Sequence, residues 1–373
     1  MQFIDLDAQQ ARIRISLDAR IGAVLAHGQY ILGPEVAELE QQLARRAGVK
    51  HCIGVANGTD ALQLALMALG VGPGDEVITP AFSYIAAGEV IALLGAIPVF
   101  VDVDAETFNV APSAIARAIS DRTRAIIPVD LFGQCADYDA ILATAAERSI
   151  PVIEDGAQSF GATYGGRAAC SFGAIATTSF FPSKPLGCYG DGGACFTDDD
   201  HQADLLRSIR AHGQAQRYYH VRVGVNARLD TLQAAILLAK LEVFDDEVVQ
   251  REQAAQRYHR LIAEAGLAEF GVVAPSVAAD RTSVWAQYTL RVPDRTQVME
   301  RMKAAGVPTT IHYPRALHQQ DVFKTSLSVS GSLPVSEQAA AEVLSLPMHP
   351  YLSTDDQQRV IGALAAAVRT SRP

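Results

Sequence analysis

From Cys52 to Asp200, short apolar runs alternate along the chain with stretches in which apolar residues recur at helical spacing. The runs Cys52–Ala56, Val77–Thr79, Pro98–Asp102, Ala125–Asp130, Pro151–Glu154, Ala176–Phe181 and Ala194–Thr197 predict strands. Between them, Ala61–Leu69, Tyr84–Leu94, Pro112–Ile119 and Tyr138–Arg148 predict amphipathic helices. Strand and helix in turn point to an α/β architecture, a mainly parallel seven-stranded sheet covered on both faces. Ligands on such sheets sit outside the carboxyl ends of the strands. From Arg228 a long helix is expected to run to about His259 and carry the chain into a second unit. That unit has a strand at Ala286–Val292, a helix at Gln297–Ala305 and a closing helix at Asp355–Val368. The pattern divides the chain into a large domain, residues 1–245 with an N-terminal arm or helix, and a smaller C-terminal α+β domain, residues 246–373.

Composition narrows the function classes. The 373 residues, 49% of them hydrophobic, supply enough apolar surface for two cores. No apolar stretch is long enough to span a bilayer, and Met1-Gln2-Phe3-Ile4-Asp5-Leu6-Asp7 has no basic segment leading into an apolar one. The expectation is a cytoplasmic protein with no membrane partner. A formal net charge of −10 argues against a nucleic-acid surface without excluding a local basic pocket for an anion. The five cysteines are odd in number and match no C-x-x-C pattern, which suits a reduced protein with Cys52 and Cys195 as small buried hydrophobes. No His/Cys cluster has metal-ligand spacing, and His212 and His220 stand isolated, so no metal is expected.

The chemistry centres on Lys184. It is the one amine in Thr177-Thr178-Ser179-Phe180-Phe181-Pro182-Ser183-Lys184-Pro185-Leu186-Gly187, and Gly190-Asp191-Gly192-Gly193 follows at once. Desolvation disfavours the ammonium form, so a lysine in such company suits imine formation. Asp155 closes the apolar run Ile150-Pro151-Val152-Ile153-Glu154. An imine-forming amine and a carboxylate to hold a pyridinium nitrogen are the minimum for pyridoxal phosphate. At Asn57-Gly58-Thr59-Asp60 a strand gives way to a helix. Gly58 permits close approach, Thr59 or Asp60 can cap, and the free first-turn amides face an anion. Alone, this motif favours an ordinary cap without a ligand, the common use of such residues, and the phosphate reading gains only from Lys184 and Asp155. Gln158 can face the same site and contact a ring hydroxyl. Ser179 can bond a phosphate oxygen or be an ordinary serine, and Tyr84 can lie on a flat ring or belong to the core. The Gly187–Gly193 stretch lacks G-x-G-x-x-G spacing and no P-loop signature occurs, which weakens nucleotide-loop readings.

In order and spacing, Gly58-Thr59-Asp60-Ala61-Leu62, Glu154-Asp155-Gly156-Ala157-Gln158-Ser159-Phe160-Gly161, Ser179-Phe180-Phe181-Pro182-Ser183-Lys184, Gly190-Asp191-Gly192-Gly193 and Asn226-Ala227-Arg228-Leu229-Asp230 resemble the nucleotide-sugar aminotransferases of the DegT/StrS type. The resemblance covers nearly the whole chain. It implies a fold-type I, aspartate-aminotransferase-like transferase with pyridoxal 5′-phosphate as cofactor, acting as a homodimer whose active sites are shared between subunits. It implies that Lys184 carries the cofactor, Asp155 partners the pyridine nitrogen, Gln158 lies near the ring hydroxyl and Tyr84 stacks on the ring. Thr59, Ser179 and the amides around Gly58 and Thr59, with Asp60 in the same turn, match the phosphate-binding set. Asn226 matches a residue that reaches the phosphate of the neighbouring subunit. Some relatives have histidine in place of the lysine and dehydrate sugars; Lys184 favours transamination.

Four further runs are similar to a subgroup of that family: His27-Gly28-Gln29-Tyr30-Ile31-Leu32-Gly33-Pro34-Glu35-Val36, Phe132-Gly133-Gln134-Cys135-Ala136-Asp137, His312-Tyr313-Pro314 and Ser345-Leu346-Pro347-Met348-His349-Pro350-Tyr351. The subgroup acts on UDP-2-acetamido-2-deoxy-3-oxo-D-glucuronate in O-antigen biosynthesis, with L-glutamate as amino donor and 2-oxoglutarate as product. Both substrates carry a carboxylate, so one cation can serve each in turn. Arg228 is the first choice, since guanidinium binds carboxylate in a fork, with a salt bridge across a dimer as the equal alternative. His312 and Tyr313 are further candidates. A 4-oxo-6-deoxy nucleotide-sugar aminotransferase, a cofactor-binding regulator without turnover and a nicotinamide dehydrogenase are the alternatives. The complete cofactor set speaks against the regulator, and the dehydrogenase predicts no carbonyl cofactor on Lys184.

Overall fold

Each of the seven apolar runs forms a strand in the computed structural model, which describes residues 1–324, 328–329 and 332–369. Two helices, α1 (Leu6–His27) and α2 (Pro34–Ala47), precede β1 (His51–Val55). There follow α3 (Gly58–Ala68), β2 (Glu76–Pro80), α4 (Ala86–Leu93), β3 (Ile97–Val101), α5 (Pro112–Ala118) and β4 (Thr123–Ile126). Then come α6 (Tyr138–Ala146), β5 (Ile153–Asp155), β6 (Ile175–Ser179), β7 (Gly193–Thr197) and α7 (Asp200–Ile209). β2 pairs in parallel with β3 and β4, and β5 in parallel with β6. The parallel bridges Ile126↔Val152 and Val129↔Asp155 join the two halves. β7 runs antiparallel between β6 and β1. The order is therefore β3-β2-β4-β5-β6-β7-β1, seven strands with one reversed, and the two-residue strand Ser328–Val329 adds in parallel outside β3. Strands buried on both faces read as unbroken apolar runs, which is why their positions are visible in the sequence.

The long helix, α8, spans Thr231–Glu264 and not Arg228 to His259. Asn226–Asp230 is taken up instead as an extended segment beside β1: Ala56 N–H donates to Ala227 O at 3.1 Å and Val55 bridges Arg228. That pairing overrides local helix propensity. The helix expected from Tyr84 begins two residues later, at Ala86.

The two halves of α8 serve different cores. Ala234, Leu237, Leu238, Leu241 and Phe244 pack with Leu39, Leu43, Phe180 and Phe196 on the large sheet. Ala254, Ala255, Tyr258 and Ile262 pack in a second core with Tyr288, Leu290, Met302 and Leu364. That core is built from β8 (Tyr288–Arg291), α9 (Arg295–Ala304), β9 (Val343–Leu346) and α11 (Thr354–Arg369), with β8 and β9 antiparallel, while α10 (Pro334–Glu342) packs Ala339 and Ala340 into a core of the large sheet. All five cysteines are free and buried. Among the described residues no helix is long and apolar enough to cross a membrane.

Tyr258 shows what holds the second core. Its ring is fully buried and its hydroxyl donates to Pro347 O at 2.9 Å. Tyr258→Ala is expected to cost about 3–5 kcal/mol, read as a lower urea midpoint for the C-terminal part of the chain.

Candidate active site

Asp155 ends β5 and faces its neighbour strand in the register Asp155↔Thr177. The strand end is pinned from both sides. Asp155 N–H donates to Pro128 O and Asp130 N–H to Asp155 O, both at 3.0 Å, while Gly156 N–H donates to Thr177 O at 2.8 Å. Five residues beyond the end of β6, a turn closed by Lys184 N–H to Phe181 O at 2.8 Å presents the lysine.

The two charged groups fall in one dry place. Burial pushes the Asp155 carboxyl up to about 6, opposed by the Ala157 amide and by the positive charge of Lys184. Burial pushes the Lys184 amine down to about 8, opposed by Asp155. Asp155 is what lets Lys184 keep a charge there, and Lys184 does the same for Asp155 behind the larger contribution of the Ala157 amide.

The register row Val55↔Gly193↔Ser179 sets up the second part of the site, where the chain leaves β1 for α3. A Cβ on Gly193 would stand 2.5 Å from both C and O of Asn57, and one on Gly58 would stand 2.6 Å from Ser179 Cβ. Two glycines are thus needed for three segments to meet. The helix cap is Asn57, whose Oδ1 accepts from Asp60 N–H at 2.7 Å, and not Thr59 or Asp60. Asp60's amide is taken by that bond, which leaves the first-turn amides of Gly58 and Thr59 without a helical acceptor. The Ser179 hydroxyl accepts from Phe181 N–H at 3.3 Å and keeps its own proton. Two free amides and a hydroxyl proton in one cup are the donor set an anion takes.

The remaining groups crowd around that space. Gln158 is held by Phe132 N–H at 3.0 Å on Oε1, and its Nε2 lies 3.4 Å from the Tyr313 hydroxyl. Tyr84 is 56% exposed, with its ring centroid 6.0 Å from that of Tyr313. Burial raises the Tyr313 hydroxyl, with the charge of Asp155 adding to it. Burial, with Lys184 nearby, lowers His312 to about 4. Asn226 and Arg228 stand apart on the edge beyond β1. Arg228 Nε donates to Asn226 Oδ1 at 2.8 Å, and among the described residues no carboxylate pairs with Arg228.

Sequence reasoning missed Asn57 as the cap and Phe132 as the holder of Gln158; the first had an available signal, since asparagine is a strong cap residue. It also missed a cluster of buried acids. Asp130, Cys135 and Glu154 bring ligand-type atoms within 4.8 Å of one another from three separate segments. Asp130 accepts from Ala136 N–H and Tyr138 Oη at 2.8 Å and Ser159 Oγ at 2.7 Å, and Glu154 from the amides of Cys170 and Phe172 at 2.6 and 2.8 Å. Burial pushes Glu154 and the Cys135 thiol well up, with the charge of Asp130 adding to each. His212 and His220 do meet, His220 Nδ1 lying 2.8 Å from His212 O. A surface cleft of about 750 Å³ lined by Glu252, His259 and Trp285 shares none of the residues around Lys184.

A carboxyl whose folded value is near 6 binds its proton more tightly than an ordinary one at 3.8, so its contribution to stability falls as pH rises between the two. Above that window the ionised carboxylate is a net cost. Asp155→Asn is therefore expected to stabilise the cofactor-free protein by about 1–3 kcal/mol near neutral pH, measured by urea unfolding.

Residues 12–365 match the DegT/DnrJ/EryC1/StrS aminotransferase family. The chain is 56% identical, over 98% of its length and 99% of the other's, to the UDP-2-acetamido-2-deoxy-3-oxo-D-glucuronate aminotransferase of Pseudomonas aeruginosa. A crystal structure of a DegT/DnrJ/EryC1/StrS aminotransferase from Brucella abortus superposes with a TM-score of 0.94 at 46% identity, covering 98% of this chain and 99% of that one. A second, from Bacillus subtilis with the cofactor PMP bound, gives 0.90 at 30% identity, covering 98% and 83%. The chain belongs to the DegT/DnrJ/EryC1/StrS aminotransferases, a pyridoxal-phosphate-dependent family of fold-type I.

Proposed function

We propose that the chain moves the amino group of L-glutamate to C3 of UDP-2-acetamido-2-deoxy-3-oxo-D-glucuronate, giving the 3-amino sugar and 2-oxoglutarate in lipopolysaccharide synthesis. The observation that carries transamination is the mutual charge support of Lys184 and Asp155 beside the Gly58–Ser179–Gly193 cup. The substrate rests on likeness to the Pseudomonas aeruginosa enzyme. A cytoplasmic location suits five buried free cysteines. A division of the chain near residue 245 suits the two cores served by α8.

The amides of Gly58 and Thr59 and the hydroxyl of Ser179 hold the phosphate, in the turn that Asp60 completes. Asp155 holds a proton against the ring nitrogen, Gln158 lies beside the ring hydroxyl, and Tyr84 offers a free ring face for stacking. When bound, pyridoxal phosphate supplies the aldehyde that takes up the amino group and the ring that draws electrons from the reacting carbon. Lys184 Nζ, lowered to about 8, accepts the α-proton of glutamate near neutral pH and hands it on. Arg228 holds the carboxylate of each substrate in turn, with His312 and Tyr313 around the sugar.

The same reading makes the chain a homodimer in which Asn226 reaches the partner's phosphate. In support, the run beside Asn226 exposes Tyr218, Tyr219, Val221 and Val223, the last at 84%, and an apolar patch of that kind calls for a covering surface.

Coupled turnover with glutamate on a panel of keto-sugar nucleotides tests the substrate. The 3-oxo-glucuronate is expected to turn over fastest; faster turnover of a 4-oxo-6-deoxy sugar would replace this reading. Arg228→Lys is expected to raise KM for both glutamate and the sugar acid by about tenfold. For the dimer, mixing refolded Lys184→Ala and Asn226→Ala protomers is expected to restore about a quarter of wild-type sites. Activity no higher than the two variants measured apart would remove the shared site.

A further inference from the structure

The ring of His312 is held from behind by two hydroxyls. Nδ1 lies 2.9 Å from Ser345 Oγ, and Ser345 Oγ lies 2.9 Å from Thr289 Oγ1. Thr289 and Ser345 are opposed in the register of β8 and β9, and both are closed off from water at 1% and 0% exposure. Burial, with the charge of Lys184, keeps the imidazole neutral down to about pH 4. A neutral ring has one N–H and one bare nitrogen, and the group bonded to one nitrogen decides which is which.

Ser345 Oγ accepting from both Nδ1–H and Thr289 would strand its own buried proton, so two directions of this chain of bonds remain to be compared. In one, Thr289 donates to Ser345 and Ser345 donates to a bare Nδ1, so every proton has an acceptor. In the other, Nδ1–H donates to Ser345 and Ser345 donates to Thr289. The Thr289 proton is then left over, because Ser345 is the sole hydrogen-bond partner of Thr289 Oγ1 among the described residues. A buried donor without an acceptor is costly, so the first direction wins.

We propose that Ser345, with Thr289 seated on its acceptor side, is the positioning residue that locks His312 in the tautomer protonated at Nε2, so that the ring offers substrate a neutral N–H donor. Nε2 has no hydrogen-bond partner among the described residues. The lock stands on the hydrogen-bond inventory; its effect on turnover rests on the reading of His312 as a substrate ligand given above. A neutral donor binds a substrate oxygen without adding charge, which leaves the matching of the carboxylate to the guanidinium. The strand pair of the second core thereby reaches into the site through a single ring.

Nitrogen NMR on histidine-labelled holoenzyme, with His312 assigned by loss of its signal in His312→Gln, reads the tautomer directly. The wild type is expected to show Nε2 protonated and Nδ1 bare. Ser345→Ala is expected to shift His312 towards a mixture and to raise KM for the sugar nucleotide about three- to tenfold with kcat little changed, and Ser345→Thr to restore both. Ser345→Cys, nearly the same shape with a much weaker donor, is expected to move the tautomer in the same direction by less and serves if Ser345→Ala does not fold. A wild-type ring protonated at Nδ1, or an unchanged tautomer in Ser345→Ala (or in Ser345→Cys where that variant stands in), overturns the lock. A changed tautomer with unchanged KM for both substrates upholds the lock and removes His312 from the substrate set.

Discussion

Asp155 and Lys184 are each an uncomfortable charge made tolerable by the other. An acid pushed up to about 6 and an amine pushed down to about 8 both resist ionising in the same apolar surroundings, and each is drawn back by its partner. This fixes what the rest of the fold must do. Two parallel strands must end side by side, and the turn after one must return its lysine over the end of the other. The bonds of Asp155 to Pro128 and Asp130, and of Gly156 to Thr177, hold the first of those ends from both flanks. Without that rigidity the pair would separate and each charge would find water.

The reversed strand β7 has a specific use. Lying between β1 and β6, it brings Gly193 level with both Val55 and Ser179, so that the start of α3 settles directly over Ser179. The contact is closer than any side chain permits at Gly58 or Gly193. The Gly58 turn of the anion cup and the reactive amine, which lie more than a hundred residues apart in sequence, are thereby brought to one edge of the sheet.

Much of this was legible in the sequence because buried strands leave unbroken apolar runs, and because Lys184, Asp155 and the Gly58 turn each follow such a run. Other parts left no such trace. α1 buries only Gln9, Ile13, Leu17 and Val24 of its 22 residues, too sparse a stripe to predict a boundary. Arg228 read as helical because nothing local says that β1 needs an edge partner. The pairing of Thr289 with Ser345 joins residues 56 positions apart, and the acid cluster of Asp130 and Glu154 joins two different strand ends; both depend on tertiary register that no short window contains. The Asn57 cap was open to reading, and the misassignment came from weighing Thr59 and Asp60 above the residue one place earlier than the turn.

The span of α8 imposes a phase condition on the whole molecule. Its 34 residues cover roughly 50 Å, and the first half is keyed to one core and the second to the other. Each residue added between Phe244 and Ala254 would swing everything beyond it by about 100° around the helix axis, carrying β8, β9 and the ring they brace away from Lys184. Rotational register along one rod, set by a residue count far from the chemistry, thus sets how His312 stands towards Lys184.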